Sequence, residues 1–321
     1  MQHTNLIFPK ATQHAKATKH AKVSKHDWLS YGFLLITCFC WASGFIIGKI
    51  SVASLPPITV AALRFGVATI FFLLVLLTLM PKSINWHNLV LAFWPALLGV
   101  TLYNIVFFWG LKLGFASHGV ILVPGLGPAM TAILGALLLK DYISKRQIMG
   151  IMVSFAGLMV LLGKNLFEDA GAGSLHADLV FMLCTIFWSL YSLRLKWVLQ
   201  HHAISPLLLT ALATILGTIL LMMLAGLRGE LSIQLITNIE PNEWIYIIYL
   251  GILGTVIPFW LWSVAIKRIG AARSSIFLNF VPLFGVVMAL FLLDEPANFT
   301  LPLALILILA GVWFTQKPES V

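Results

Sequence analysis

The sequence predicts an all-α integral membrane protein: ten transmembrane helices arranged as two inverted five-helix repeats, with both termini cytoplasmic. Three observations predict it. Only 10% of the 321 residues are charged and 60% are hydrophobic, with a mean hydropathy of +0.99, whereas a soluble domain carries roughly 25% charged residues. Apolar runs of about 20 residues, long enough to cross a hydrocarbon core of roughly 30 Å, recur along nearly the whole chain. The second half also echoes the first at a shift of 154 residues, as Thr255 follows Thr101.

The elements follow in order from the apolar runs between charged or Pro/Gly-rich breaks. They fall at about 29–48, 58–80, 88–111, 116–139, 146–163, 176–198, 205–227, 244–266, 272–293 and 300–316. Most connections are short, which leaves no room for a separate soluble domain. Residues 1–28 form a tail with five lysines, one acid and histidines six apart at His14, His20 and His26. Its composition predicts a disordered basic arm near anionic lipid, with a metal-binding tail as the alternative. No small-residue cleavage site follows the first apolar run, so that run is read as an uncleaved span. Cys38, Cys40 and Cys184 all lie in apolar runs; an odd, lipid-buried set reads as core filling rather than a disulfide framework.

Orientation comes from basic residues. With the amino terminus in the cytoplasm, Lys10, Lys16, Lys19, Lys22, Lys25, Lys82, Lys140, Lys145, Arg146, Arg194, Lys196, Lys267, Arg268, Arg273 and Lys317 lie inside. Lys49, Lys112, Lys164 and Arg228 lie outside, and Arg64 falls within a span. The basic pI of 9.6 is thereby explained by topology. Scattered loop charges without a recognition motif give no support for nucleic-acid binding.

The repeat pairs Pro128 with Pro282, Asp141 with Glu295 and Gly157 with Gly311; at slightly smaller shifts it pairs Trp41 with Trp188, Lys49 with Lys196 and Pro57 with Pro206. Five spans per repeat is an odd number, so the second copy lies upside down. Inverted repeats are the architecture of secondary transporters, whose sites lie near the bilayer midplane between the halves.

The motifs in order are CWASGF (40–45), Pro57 followed by Arg64-Phe65, GLKLGFASHGVILVPGLGP (110–128) and LLLKD (137–141), then FWSLYSL (187–193), IKRIGAARSSIFLNFVP (266–282) and LLDE (292–295). Together they resemble the ten-helix EamA-like exporters of the drug/metabolite transporter superfamily. The resemblance covers about residues 29–316, with repeats at 29–163 and 176–316. It implies alternating-access export of small metabolites such as amino acids, or of toxic compounds, through a bacterial inner membrane, with no cofactor and no enzymatic activity. One departure is that both helix ends commonly read Leu-Gly-Glu in the family, whereas here they read Leu-Lys-Asp and Leu-Asp-Glu.

Candidate site residues are those whose chemistry is out of place in lipid. Trp41 and Trp188 lie roughly 18 Å deep from opposite faces, although membrane tryptophans favour the interfaces. They read as opposite cavity walls, with bulky packing as the alternative. Arg64, about 10 Å below the outer surface, either holds a substrate carboxylate or clamps backbone carbonyls. Tyr103 and Asn104 read as cavity-lining by resemblance, and Tyr191 and Asn279 join the substrate-binding set. Pro124, Gly125, Pro128 and Pro282 interrupt spans four and nine and read as a hinge or cavity wall, against close packing around the glycines. The prolines free the carbonyls of Val120 and Pro124, backbone tolerated only where it faces protein or water. His118 has either a capping or surface role or a proton-linked one. No carboxylate lies in mid-membrane, so proton coupling and facilitated efflux both stay open.

Rival classes lack their signatures. HExxH, GxSxG and a Walker A loop are absent, which removes the basis for an intramembrane enzyme. A channel calls for charge rings or a carbonyl filter. A nucleotide-sugar or phosphorylated-metabolite carrier of the same superfamily is the nearest alternative, and it calls for several cavity cations. The expected partners are a small-molecule substrate and membrane lipid, no metal is expected, and a monomer and a homodimer are both compatible with the sequence.

Overall fold

The structure, a computed structural model, describes residues 27–79, 85–167, 173–297 and 299–316. Residues 1–26 of the basic tail, with its four histidines, therefore lie outside the described residues, as do Lys82, Asn298 and Lys317. All regular structure among the described residues is helical. In chain order the long helices are α1 (Asp27–Ser54), α2 (Pro57–Leu79), α3 (Trp86–Leu113), α4 (Ala116–Leu139), α5 (Lys145–Phe167), α6 (Gly173–His201), α7 (Pro206–Leu227) and α8 (Pro241–Ile269). The ninth, α9, has two pieces, Ala271–Phe277 and Phe280–Leu292, and the last is α10 (Thr300–Gln316). Among the described residues nine segments are long and apolar enough to cross a membrane; the apolar part of α10, Thr300–Thr315, is shorter. Leu74, Met152, Ile219 and Phe291 are exposed on the outside of the bundle, an apolar exterior suited to lipid and unsuited to water.

Small residues let the helices approach closely, the usual device where lipid supplies no hydrophobic drive between them. On α5, Gly150 and Gly157 face α10: a Cβ at Gly150 would stand 2.6 Å from the Gly311 carbonyl oxygen, and one at Gly157 would stand 2.8 Å from the Ile308 side chain. Like this α5–α10 contact, the other most extensive contacts run between the halves. α2 packs on α7, where Thr69 and Thr218 share a 2.8 Å hydrogen bond; α1 packs on α8 and α9, and α3 on α6. The space between the halves is walled mainly by α1, α3 and α4 of the first half and by α6, α8 and α9 of the second.

Four helices break their backbone, and proline explains where. α3 widens into a π turn at Ala96–Leu102 directly after Pro95, and α8 does so at Ile252–Val256 just before Pro258. Thr101 and Thr255, 154 residues apart, each donate to the carbonyl five residues back, at Ala96 and Leu250. α4 has a π turn at Ile121–Gly125, and α9 turns at Leu278–Asn279. The following helical pieces start at Leu126 and Phe280, which puts Pro128 and Pro282 in their first turns, where a missing amide costs nothing. The break is thus present in both halves, although only the first carries the extra Pro124.

The face bearing Arg194 and Lys196 also carries an aromatic and imidazole cluster. His202 stands 5.5 Å from His87 and from Trp197, ring to ring. Burial, then the neighbouring His87, Arg194 and His201, hold its pKa below the ordinary histidine value.

Candidate functional site: a central cavity sealed at one end

A cavity of about 940 Å³ lies between the halves. Two aromatic groups face it. Trp41 of α1 meets Phe259 of α8 at 5.8 Å. Across the cavity, Tyr103 of α3 meets Trp188 of α6 at 5.2 Å and stacks on Phe107, which meets Phe45. Such walls suit the apolar body of a small ligand, with a few polar groups to orient it.

Arg64 is held in place by the π turn of α8. Pro258 has no N–H for the carbonyl of Gly254, and Arg64 Nη2 donates to that oxygen at 3.1 Å while Nε donates to Thr255 Oγ1 at 3.0 Å. In the other half the equivalent carbonyl belongs to Val100, and Asn104 stands where α8 has Pro258. Asn104 Nδ2 donates to Val100 O at 2.9 Å and to Gly99 O at 3.3 Å. Each π turn therefore has its loose carbonyl met by a side-chain donor, from α2 in one half and from α3 itself in the other. Arg64 thus clamps backbone and also lines the cavity.

Seven of the residues picked from sequence line this cavity: Trp41, Arg64, Tyr103, Asn104, Pro124, Pro128 and Trp188. The others sit elsewhere. Tyr191 is buried behind Trp188, its ring laid on Gly99, where any Cβ would collide with Cδ2. Asn279 lies in the turn of α9 and Pro282 is buried in packing. Gly125 is a contact glycine, since a Cβ there would stand 2.8 Å from Ile308 of α10. In α4 the side-chain donors reach the carbonyls of Leu122 and Gly127, from Thr185 and Ser189 of α6, not those of Val120 and Pro124.

The two ends of the cavity differ. One end reaches Asp141, Tyr142, Gln147 and Lys196, where the Asp141 side chain is 53% exposed and 3.9 Å from Lys196 Nζ. The opposite end is tied shut. Lys49 Nζ donates to the carbonyls of Leu111 and Gly114 at 2.8 and 2.6 Å, and Lys112 Nζ donates to Val52 O at 2.8 Å. These lysines cross-cap the carboxyl ends of α1 and α3, where cations are favoured. Glu295, 8% exposed, accepts from the backbone N–H of Ala116 at 2.6 Å and of Ser117 at 3.0 Å; the carboxylate at the end of α9 thus caps the start of α4. His118 Nδ1 lies 2.8 Å from Asp178 Oδ1, and Asp178 is fully buried, so this histidine joins α4 to α6 instead of facing the surface.

Sequence reasoning missed Phe45, Phe107 and Phe259 as lining residues, because phenylalanine in a membrane span is unremarkable by composition. The backbone clamp was among the readings of Arg64, but its partner, the Gly254 carbonyl on another helix, was not named, although Pro258 opposite Asn104 was the available signal.

The EamA-like transporter family matches residues 28–163 and 175–316. Similar proteins include an uncharacterized transporter, YyaM, of Bacillus subtilis (strain 168), 28% identical over 84% of this chain and 87% of its own. A probable amino-acid metabolite efflux pump of Escherichia coli (strain K12) is 24% identical over 87% of this chain and 92% of its own. A solved structure titled "Crystal structure of protein" shares the fold, with a TM-score of 0.60, 19% identity and coverage of 90% of this chain and 97% of that one. With both halves matched and apolar membrane-length helices throughout, the chain is a multi-pass bacterial membrane protein belonging to the EamA-like transporter family of the drug/metabolite transporter superfamily.

Proposed function

We propose that the protein is a secondary transporter that exports small amphipathic metabolites, amino acids or related compounds among them, by alternating access. Two inverted repeats of five helices rock about the central cavity, and both termini lie in the cytoplasm. The observation that carries this reading is the unequal use of two equivalent acids. Glu295 caps the start of α4 at the sealed end, while Asp141, its counterpart 154 residues earlier, stands exposed at the open mouth. An inverted repeat can exchange these roles: when the mouth closes, Asp141 takes the cap at the start of α9 and Glu295 lets go. By the basic-residue count the open mouth is cytoplasmic, so the structure corresponds to an inward-facing state.

The efflux-pump name of the Escherichia coli relative supports the export of metabolites. Arg64 is the one cation lining the cavity at mid-depth among the described residues, with Lys196 at the mouth. That disfavours a carrier of nucleotide sugars or phosphorylated metabolites, which needs several cations at the site.

Trp41→Ala and Trp188→Ala test the placement of the site. Each removes an aromatic wall without touching the seal. Each is expected to raise the half-saturating substrate concentration for uptake into inverted vesicles by about tenfold, the order set by 1–2 kcal/mol of lost aromatic contact. Unchanged kinetics in both, with normal expression, would move the site away from this cavity.

A further inference from the structure

The cavity's one mid-depth charge is half used. Arg64 spends Nε and one Nη2 proton on α8, and the guanidinium has no carboxylate partner among the described residues. With its side edge pinned, the free edge is the end-on pair Nη1 and Nη2, a geometry that receives a carboxylate through two parallel hydrogen bonds. The rings of Phe65 and Phe108, 5.2 and 5.9 Å away, steady the same group. Asn104 supplies a second unfinished group. Its Nδ2 is committed to two backbone carbonyls, which fixes the amide orientation and leaves Oδ1 buried without a partner on a residue 1% exposed. Buried acceptors are rarely left unmet unless something absent completes them. The lining offers a ligand's positive charge no comparable partner at depth, because its one carboxylate, Asp141, is at the mouth.

We propose that the cavity selects small amphipathic carboxylates. The carboxylate sits end-on against Arg64, the apolar body lies between the Trp41–Phe259 and Tyr103–Trp188 walls, and an N–H of the ligand, where it has one, donates to Asn104 Oδ1. This rests on reading the cavity as the transport site, and it narrows the substrate class by charge.

The test is equilibrium binding to the purified full chain of four probes sharing a phenyl body: 3-phenylpropionate, its amide, 2-phenylethylamine and L-phenylalanine. 3-Phenylpropionate is expected to bind at least about tenfold more tightly than the amide or the amine, with L-phenylalanine at least equal to it. Arg64→Gln is expected to flatten that preference to within about threefold, while Thr255→Val, which removes an anchor and leaves the charge, preserves it. If Arg64→Gln does not fold, the wild-type series decides alone. An amide or amine that matches the carboxylate overturns the proposal, and so does the failure of both carboxylates to bind. Transport is scored separately. Carboxylate binding without exchange across liposomes contradicts the transporter reading and keeps the selectivity, whereas preferential exchange of the amine does the reverse.

Discussion

Glu295→Gln is expected to open the sealed end, and Asp141→Asn to do the opposite. With the mouth at Asp141 open, the Glu295 carboxylate meets two backbone N–H groups of α4, while the Asp141 carboxylate accepts from no backbone N–H among the described residues. Hydrogen bonds to a charged group contribute about 1.5–3 kcal/mol, and helix amino ends favour an anion besides. A neutral amide keeps at most one of these bonds, so Glu295→Gln is expected to shift the population toward the outward-facing state by about tenfold. Asp141→Asn removes a cap that exists only in that outward-facing state, so the same arithmetic moves the population inward. Spin-label distances across the two ends of purified protein report both shifts. Equal shifts in one direction would reduce the two acids to ordinary structural groups.

Gly311→Val is expected to cost the most stability. A Cβ at that position meets the Gly150 carbonyl at 2.5 Å and Ser154 N at 2.6 Å, and collides with Ser154 Oγ. Two of these three are backbone atoms, which cannot rotate away, so α10 must lift off α5. Overpacking of this kind costs about 3 kcal/mol, the upper end of the usual range. A marked drop in the thermal midpoint in detergent is the expected reading. Gly226→Ala is the control, because nothing stands within 4 Å of its added Cβ and the residue is exposed; it is expected to be neutral or slightly stabilising through helix propensity. Equal losses in both variants would show that helix propensity and not the α5–α10 contact sets the effect.

Because membrane length is a strong constraint on composition, the apolar runs placed each long helix to within a few residues, except that α1 runs on to Ser54. The repeat picked out Thr101 and Thr255, Pro128 and Pro282, and Asp141 and Glu295, and the structure gives each pair equivalent backbone surroundings or equivalent helix-end positions. What stayed illegible depends on which face of a helix a residue occupies. Tyr191, one turn from Trp188, rotates behind it onto Gly99; Gly125, next to Pro124, turns from the cavity to Ile308. A span buried on all sides has almost no polar stripe from which to read that rotation. His118 reads from sequence as a capping or surface residue or a proton-linked one, and what pairs it is the fully buried Asp178 of another helix. Long-range partners such as Glu295 for Ala116 leave no trace in local pattern at all.

Counterflow in liposomes tests alternating access most directly. Proteoliposomes loaded with an unlabelled amino acid or phenyl carboxylate are diluted into a trace of the same compound labelled, without nucleotide or ion gradient. An obligatory exchange of states predicts that label rises transiently above its equilibrium level, saturates with concentration, and is slowed in both Glu295→Gln and Asp141→Asn. Label that enters without overshoot and in linear proportion to its concentration would contradict the account, because a continuous pore and not a cavity that changes sides would then carry the flux.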